Sequence, residues 1–396
     1  MNKIQYEIDR LSKQFQDETV NTRRHIHQWP ELSYKEFSTS EYIRNLLKET
    51  GIDDIKTVAG TGILAHLKGK REGSVKIILR AELDALPINE QSRLPFSSKN
   101  QGVMHACGHD SHMAMLIASA KVLYELRDSF GGDVYFLFQP GEELAPGGAS
   151  LLMKEGILQE INPDAIIAQH VLPELKSGTC GFRAGKYMAS SDEIYIDVHG
   201  KGGHAALPGS STDQVTIASS LICELKSAVS NLQAAEPLVL GIGKFIADGA
   251  TNVIPEKVHI EGTLRTFDEA LRKEVHKIIK KTCSEAEDEG VSVGLEIRKG
   301  YPVLVNNDNL VDTATRVAKK VNGESSVQML DRRMSSEDFA FYSEQFPVLF
   351  YRLGTLTPGA EIKNLHAPVF DIHEAAMETG VRTMVSIATE LLAAHS

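Results

Sequence analysis

The stretch from Met104 to His112 reads Met-His-Ala-Cys-Gly-His-Asp-Ser-His, and it constrains this chain more than any other. Cys107 and His109 flank Gly108, where the backbone can bend without a Cβ clash. A thiolate and an imidazole together suit a borderline-soft cation such as zinc, with manganese, cobalt and nickel as alternatives. Asp110 is placed to orient a ligating imidazole. The plainer reading makes Cys107 a small buried hydrophobe and the histidines incidental. If an ion does bind here, the remaining donors lie elsewhere, and the fold must bring them to this stretch.

Three apolar runs lead to residues of the right chemistry. Residues 75–81 read as a strand inside a sheet and run into Arg80-Ala81-Glu82-Leu83-Asp84-Ala85-Leu86-Pro87. Residues 133–139 read as a buried strand that ends at Pro140-Gly141-Glu142-Glu143. Residues 165–169 form a third, ending at His170. Helical spacing of Ile4, Ile8, Leu11 and Phe15 continues to Ile26, and Pro30 stops it. Further helices are expected over residues 36–49, closed by Gly51, and over 113–126, the latter amphipathic, so that the Cys/His stretch sits just before a helix. Strands alternating with helices imply an α/β sheet with much parallel pairing. Sites in such sheets lie beyond the carboxyl ends of the strands. Asp84, Glu142, Glu143 and His170 all follow strand ends, so they should meet.

From about Gly185 the pattern changes. Strands over 191–199, 238–246, 257–265 and 291–297 alternate with helices over 214–231 and 268–289. That order is β-α-β-β-α-β, the split βαβ unit. From about Lys299 helix–strand alternation returns, with Ser336-Glu337-Asp338-Phe339, a strand over 348–353 and Asn364-Leu365-His366-Ala367-Pro368. The expected fold is α/β, a mixed, mostly parallel sheet flanked by helices, with an inserted ferredoxin-like α+β domain. Residues 1–184 and 299–396 form the discontinuous main domain and 185–298 the insertion. The inserted sheet leaves an edge strand, which a dimer contact would cover.

Composition excludes other classes. With 42 basic and 53 acidic residues the net charge is -11, against a nucleic-acid partner. No apolar stretch reaches about 18 residues, so no membrane span is expected. The amino-terminal ten residues are polar and acidic, without the apolar core of a signal peptide. Four cysteines without framework spacing point to a reduced, cytoplasmic protein. Cys180, Cys223 and Cys283 read as buried, and His25 and His27 as packing.

The candidate metal ligands are Cys107, His109, Glu143, His170 and His366. Two divalent ions about 3.5–4 Å apart could share them. Adjacent Glu142 and Glu143 suggest a division of labour, one carboxylate on metal and the other free as general base. A solvated turn is the ordinary reading of paired glutamates, but their position after a buried strand argues against it.

With these residues in view the chain resembles the aminoacylase/carboxypeptidase-type family of dinuclear metallohydrolases, in its amidohydrolase branch of hippurate and indole-acetyl-amino-acid hydrolases. The matching segments are Arg23-Arg24-His25-Ile26-His27 with Pro30-Glu31-Leu32, the Arg80–Pro87 and Met104–His112 runs, Phe138-Gln139-Pro140-Gly141-Glu142-Glu143, the stretch from Gly200 to Ala206, Thr251-Asn252-Val253-Ile254-Pro255, Ser336 to Phe339, and His366. The resemblance implies a zinc-peptidase-like catalytic domain, metal binding by the five residues above, and Glu142 as catalytic base. It implies a homodimer through the inserted, lid-like domain, or a higher homo-oligomer. His204 would then serve the partner subunit's site, supporting the oxyanion. Asn252 and Arg265 would contact the substrate, a guanidinium being suited to a carboxylate, although a surface ion pair is the alternative for Arg265.

The chain departs from the pattern in places. Arg80-Ala81-Glu82-Leu83-Asp84 replaces the usual Arg-Ala-Asp-Met-Asp; Asp84 is expected to orient a ligand histidine. Gly141 follows Pro140, a change expected to be benign, and Leu144-Ala145-Pro146 reshapes a pocket wall. His105 and His112 are candidates to support the ligands from behind. The expected activity is metal-dependent hydrolysis of the amide bond of a small-molecule N-acyl amino acid. The alternatives are a dipeptidase or carboxypeptidase, a deacetylase of an N-acetylated biosynthetic intermediate, and a non-catalytic binding protein on the same fold.

Overall fold

The computed structural model describes residues 3–207, 209 and 211–393. The chain forms two units. The first comprises Met1–Gly185, Val305–Asp331 and Asp338–Ser396; the second comprises Lys186–Leu304 and a short return, Arg332–Glu337. Helices α1 (Lys3–Gln14), α2 (Gln16–Gln28) and α3 (Phe37–Thr50) precede strands β1 (Ile55–Val58), β2 (Gly62–Lys68) and β3 (Arg71–Glu82). Helix α4 (His109–Glu125) leads to β4 (Gly131–Gln139), β5 (Ala165–Lys176) and β6 (Cys180–Phe182). The second unit supplies β7 (Ser190–Gly200), α5 (Gln214–Ser230), β8 (Leu238–Ala247), β9 (Lys257–Thr266), α6 (Glu269–Glu285) and β10 (Val291–Lys299). The first unit resumes with α7 (Asp308–Asn322), β11 (Val327–Met329), β12 (Val348–Leu356) and α8 (Ala376–Ala393).

The first unit is built on an eight-stranded sheet in the order β1-β2-β4-β3-β5-β12-β6-β11. Its centre, β4-β3-β5-β12, is parallel, while β1/β2, β2/β4 and β12/β6 pair antiparallel. The mixed, mostly parallel sheet flanked by helices is therefore present. The central strands are apolar along their length, as strands covered on both faces must be: residues Ile77 to Ala81 and Val134 to Phe138 contribute Ile77, Leu79, Ala81, Val134, Phe136 and Phe138 to one core.

Of the element boundaries that differ from the sequence reading, two matter most for the site. Helix α4 begins at His109, four residues earlier than expected, because Gly108 sits at φ +86° and its carbonyl accepts from the N–H groups of Ser111 and His112. His109 and His112 thus lie in the first helical turn. Nor is α4 amphipathic, being buried without a break from His109 to Ala120. Helices α1, α2, α3 and α8 and strand β3 all pack on it, so every face is covered. Each fully buried Leu, Ile or Met there contributes about 1.5–3 kcal/mol. Strand β5 does not end at His170 but continues to Lys176, held by β12. Its pairing with β3 stops at Ala168, so His170 lies two residues past the last β3–β5 pair, level with the carboxyl end of β3.

Charge also holds α4 in place. Arg23 of α2 is completely buried and its guanidinium meets Asp110 (3.0 Å), Asp371 (2.7 Å) and Glu374 (3.0 Å). His27 donates from the same helix to Asp110 (2.8 Å) and lies 3.3 Å from Glu90. His27 is therefore not mere packing. Burial alone would lower its pKa, but the bonds to Asp110 and Glu90 carry it up to about 9. A raised pKa stabilises the fold below the unfolded value near 6.5, and that stability is lost as pH rises through about 9.

The second unit is a four-stranded antiparallel sheet in the order β8-β9-β7-β10, the split βαβ arrangement, with α5 and α6 packed on it. Asp213 and Asp268 cap the two helices. Inside the unit Arg272 and Asp192 form a fully buried ion pair, joined by His276 at 2.6 Å. Cys223, expected to be buried, is exposed on α5. Among the described residues no helix is long and apolar enough to cross a membrane.

Removing one partner of a buried pair strands the other. Asp192→Asn should therefore cost about 3–5 kcal/mol in urea denaturation. Wild-type protein should lose stability between pH 7 and 9 from its His27 network, and His27→Gln should flatten that slope; an unchanged slope would place the charge elsewhere.

Candidate metal centre and catalytic site

The sheet's carboxyl edge brings the predicted donors of the first unit together. Cys107, His109 and His170 present ligand atoms within 4.8 Å of one another; so do Cys107, Glu143 and His366, and so do His109, Glu142 and Glu143. Cys107 Sγ lies 3.5 Å from His170 Nε2, and His366 Nε2 lies 3.2 Å from Glu143 Oε1. Glu142 Oε2 stands 4.0 Å from His109 Nε2 and is buried. All five proposed ligands and the proposed base thus occupy one place, although His366 lies 259 positions after Cys107 in the chain.

The imidazoles of His109 and His170 are each aimed by a backbone carbonyl. His109 Nδ1 donates to the carbonyl of Asp84 at 2.8 Å, and His170 Nδ1 donates to that of Val171 at 2.8 Å. The hydrogens are then on Nδ1, and the Nε2 lone pairs face the cluster. His109 Nε2 is buried without a hydrogen-bond partner, which is costly unless something else takes its lone pair. His366 adopts φ +62°, and its N–H donates to the carbonyl of Ala106 at 2.8 Å, tying it to the Cys/His stretch.

Asp84 works differently from the expectation. Its carboxylate is 3.6 Å from His109 Nδ1, farther than its own carbonyl. Its Oδ2 instead accepts from Ser33 (2.7 Å) and from the N–H of Glu143 (2.9 Å). Asp84 therefore orients a histidine through its backbone and a glutamate through its side chain. Gly141 is more than tolerated: at φ +57° a Cβ would collide with the ring of Tyr34, so glycine is the residue that fits. Tyr34 donates to the carbonyl of Leu144 at 2.6 Å, which shapes the loop after the two glutamates.

The electrostatics favour cations. Burial disfavours charge on His109, yet Asp84, Glu82 and Glu143 around it raise its pKa to about 10. Burial, then Glu143 and Glu142, push the Cys107 thiol well above its usual value. Burial, with Arg352 nearby, keeps His170 neutral. Bare, the site is a pocket of negative charge that draws in protons; a divalent ion would take their place and expel the thiol proton. Orphaned His109 Nε2 and a donor set of thiolate, imidazole and carboxylate both fit such an ion.

The scaffold includes residues that the sequence reading passed over. Arg80, fully buried, bonds Gln139 (3.0 Å), Asp338 (2.8 Å) and Glu82. Asp338 also receives the N–H of Ala149 at 2.9 Å. Glu82 holds His112. His112, expected to support the ligands from behind, shares a face with His109 because the helix starts at His109, just after Gly108. His105 is buried, and neither ring nitrogen has a hydrogen-bond partner.

His204, Asn252 and Arg265 belong to the second unit. His204 is exposed on a short strand, Gly203–His204, paired with Val253–Ile254. The N–H of Ala205 donates to the carbonyl of Asn252 at 3.0 Å, so that His204 and Asn252 are neighbours. Arg265 donates to Ser336 Oγ at 2.7 Å and forms no ion pair among the described residues.

A model described as peptidase family M20/M25/M40 matches residues 78–390. An N-acetyl-L-cysteine deacetylase of Bacillus subtilis is 39% identical over 90% of this chain and 84% of its own length. An N-acyl-L-amino acid amidohydrolase of Geobacillus stearothermophilus is 39% identical over 76% of this chain and 81% of its own. A solved Bacillus subtilis structure, a dinuclear metal-binding peptidase of the M20 family, superposes with a TM-score of 0.80 at 34% identity, covering 96% of this chain and 99% of that one.

Gly108→Ala tests the turn that sets Cys107 against His109. A left-handed backbone costs an ordinary residue roughly 1–2 kcal/mol, and a Cβ here would lie 2.5 Å from Val171 Cγ2. The variant should be less stable in urea and should retain less divalent metal after desalting, read by elemental analysis.

Proposed function

The chain belongs to peptidase family M20/M25/M40, and on that premise we propose that it hydrolyses N-acyl amino acids to a carboxylate and a free amino acid. It is an enzyme acting on amides, as its family and the named relatives show, and the dinuclear metal-binding M20 neighbour together with the donor groups supports metal dependence. The finer assignment, an acyl group on an amino acid, draws support from relatives named for N-acetyl-L-cysteine and N-acyl-L-amino acids. The observation that carries the reading is the pair of overlapping donor triads that share Cys107, with Glu142 beside them.

Cys107, His109, Glu143, His170 and His366 would hold two divalent ions, among zinc, manganese, cobalt or nickel, which supply Lewis acidity to the scissile carbonyl and to water. Glu142 is the general base. It accepts a proton from the attacking water and delivers it to the leaving nitrogen. Asp84 holds His109 and the Glu143 backbone in place through the bonds described above. His204 supplies an oxyanion donor. The N–H of Ala206 donates to its Nδ1 at 3.2 Å, so the neutral ring carries its hydrogen on Nε2. In this reading the second unit forms a homodimer, and His204 of one subunit serves the site of the other. Arg265 binds the substrate carboxylate; among the described residues it donates to a neutral hydroxyl and makes no direct ion pair, although Asp192 and Glu193 act on its charge from farther away. Asn252, beside His204, contacts the substrate. Four unpaired thiols fit a cytoplasmic setting.

The test is release of free amino acid from N-acetyl, N-benzoyl and longer N-acyl amino acids, with dipeptides alongside, in chelated and metal-reconstituted enzyme. Metal-dependent release from acylated substrates is expected; faster turnover of dipeptides would move the assignment to a peptidase. Glu142→Gln should keep its metal and lose about 10²–10⁴-fold in kcat, whereas metal loss would make Glu142 a ligand. His366→Ala should lower metal content.

A further inference from the structure

One histidine of the Met104–His112 stretch has no task in this reaction, yet both of its nitrogens are engaged. His112 is buried on α4, three residues after His109 in the same first turn. The N–H of Val171 donates to its Nε2 at 3.0 Å. A backbone amide can only donate, so Nε2 carries no hydrogen. The ring hydrogen is then on Nδ1, which donates to Glu82 Oε2 at 2.8 Å. Glu82 is an acceptor held by Arg80, and Arg80 reaches Asp338 at 2.8 Å. The direction of each bond in this chain is determined.

The far end of the chain is His170. Its Nδ1 donates to the carbonyl of Val171 at 2.8 Å, which turns Nε2 toward Cys107 Sγ. Val171 therefore has its N–H held by His112 and its carbonyl held by His170. The sheet does not hold that N–H from the β3 side, because β3 leaves β5 after Ala168. Glu82, His109 and His112 do present atoms within 4.8 Å of one another, as a metal site would. His112, however, has one lone pair, on Nε2, and Val171 already uses it.

We propose that His112 is a positioning residue that, through the backbone of Val171, fixes the imidazole of His170 in its cation-binding orientation, while Glu82 selects the tautomer. This rests on the metal centre proposed above. The experiment is a cobalt titration of metal-free full-length protein, followed by thiolate-to-cobalt absorption and by equilibrium dialysis. Wild type should take up two equivalents. His112→Ala should hold one of them about 10- to 100-fold more weakly. His112→Gln, whose amide can accept from Val171 and donate to Glu82, should restore binding to within a few-fold. Leu116→Ala, which empties buried volume from the same helix outside the chain of bonds, should bind as wild type.

Wild-type affinity at both sites in folded His112→Ala would overturn the proposal. So would an equal loss in Leu116→Ala, which would mean general loosening, or complete loss of one equivalent at any cobalt concentration, which would make His112 a ligand. If His112→Ala does not fold, Glu82→Gln replaces it; it keeps the side-chain shape, should weaken the same site less, and overturns the proposal if it binds as wild type. A wild type that takes up no cobalt removes the metal centre itself. A wild type that binds two equivalents and hydrolyses acyl amino acids beside an unaffected His112→Ala removes only the positioning role.

Discussion

Buried negative charge is the constraint on which the first unit depends. Glu82, Asp84, Glu142 and Asp338 are all buried near the carboxyl edge of the sheet. A carboxylate taken out of water costs several kcal/mol unless it is paired or well bonded. Arg80 answers Glu82 and Asp338, while Ser33 and the N–H of Glu143 answer Asp84. What remains, with Cys107 and the Nε2 lone pairs of His109 and His170, is a set of donors that only cations complete. The same excess charge that would destabilise a bare core favours a divalent ion at the proposed site.

The scaffold around that charge is stiff for a reason. Helix α4 carries His109 and is packed on every side, so its first turn has nowhere to shift. Arg23 ties that turn to the segment just before α8 through Asp371 and Glu374, joining residues near the two ends of the chain. The imidazoles are oriented by carbonyls of Asp84 and Val171, which are parts of the backbone and cannot rotate away as side chains can. Precision at the ligands is thereby inherited from the sheet edge.

The second unit separates two tasks in one chain. Its sheet is held by its own core and by the buried Arg272–Asp192 pair. On it His204 is exposed, its Nδ1 already occupied by a backbone N–H. In the proposed reading, a hydrogen on the remaining nitrogen suits contact with a developing oxyanion better than metal binding, which would need a lone pair there.

Much of this was legible in the sequence. Apolar runs that end in Asp84, in Glu142 and Glu143, and near His170 announce a parallel sheet whose carboxyl edge gathers acids and histidines, because strand periodicity and the geometry of α/β sheets are local and general properties. The change of pattern at Gly185 likewise marks the second unit. Other features were not legible. That α4 starts at His109 depends on Gly108 adopting a left-handed turn, and that β5 outruns His170 depends on pairing with β12, 178 residues away from Val348 back to His170. The tasks of Arg23 and Asp338, the partners of His112, and the need for glycine at 141 follow from neighbours distant in the chain. By itself the sequence determined which chemistry is present and on which edge it collects, since periodicity sets which end of each strand a residue follows. Only the tertiary structure decided which nitrogen faces the cluster and which carboxylate is already occupied, since a hydrogen bond is settled by a partner's position and not by spacing along the chain.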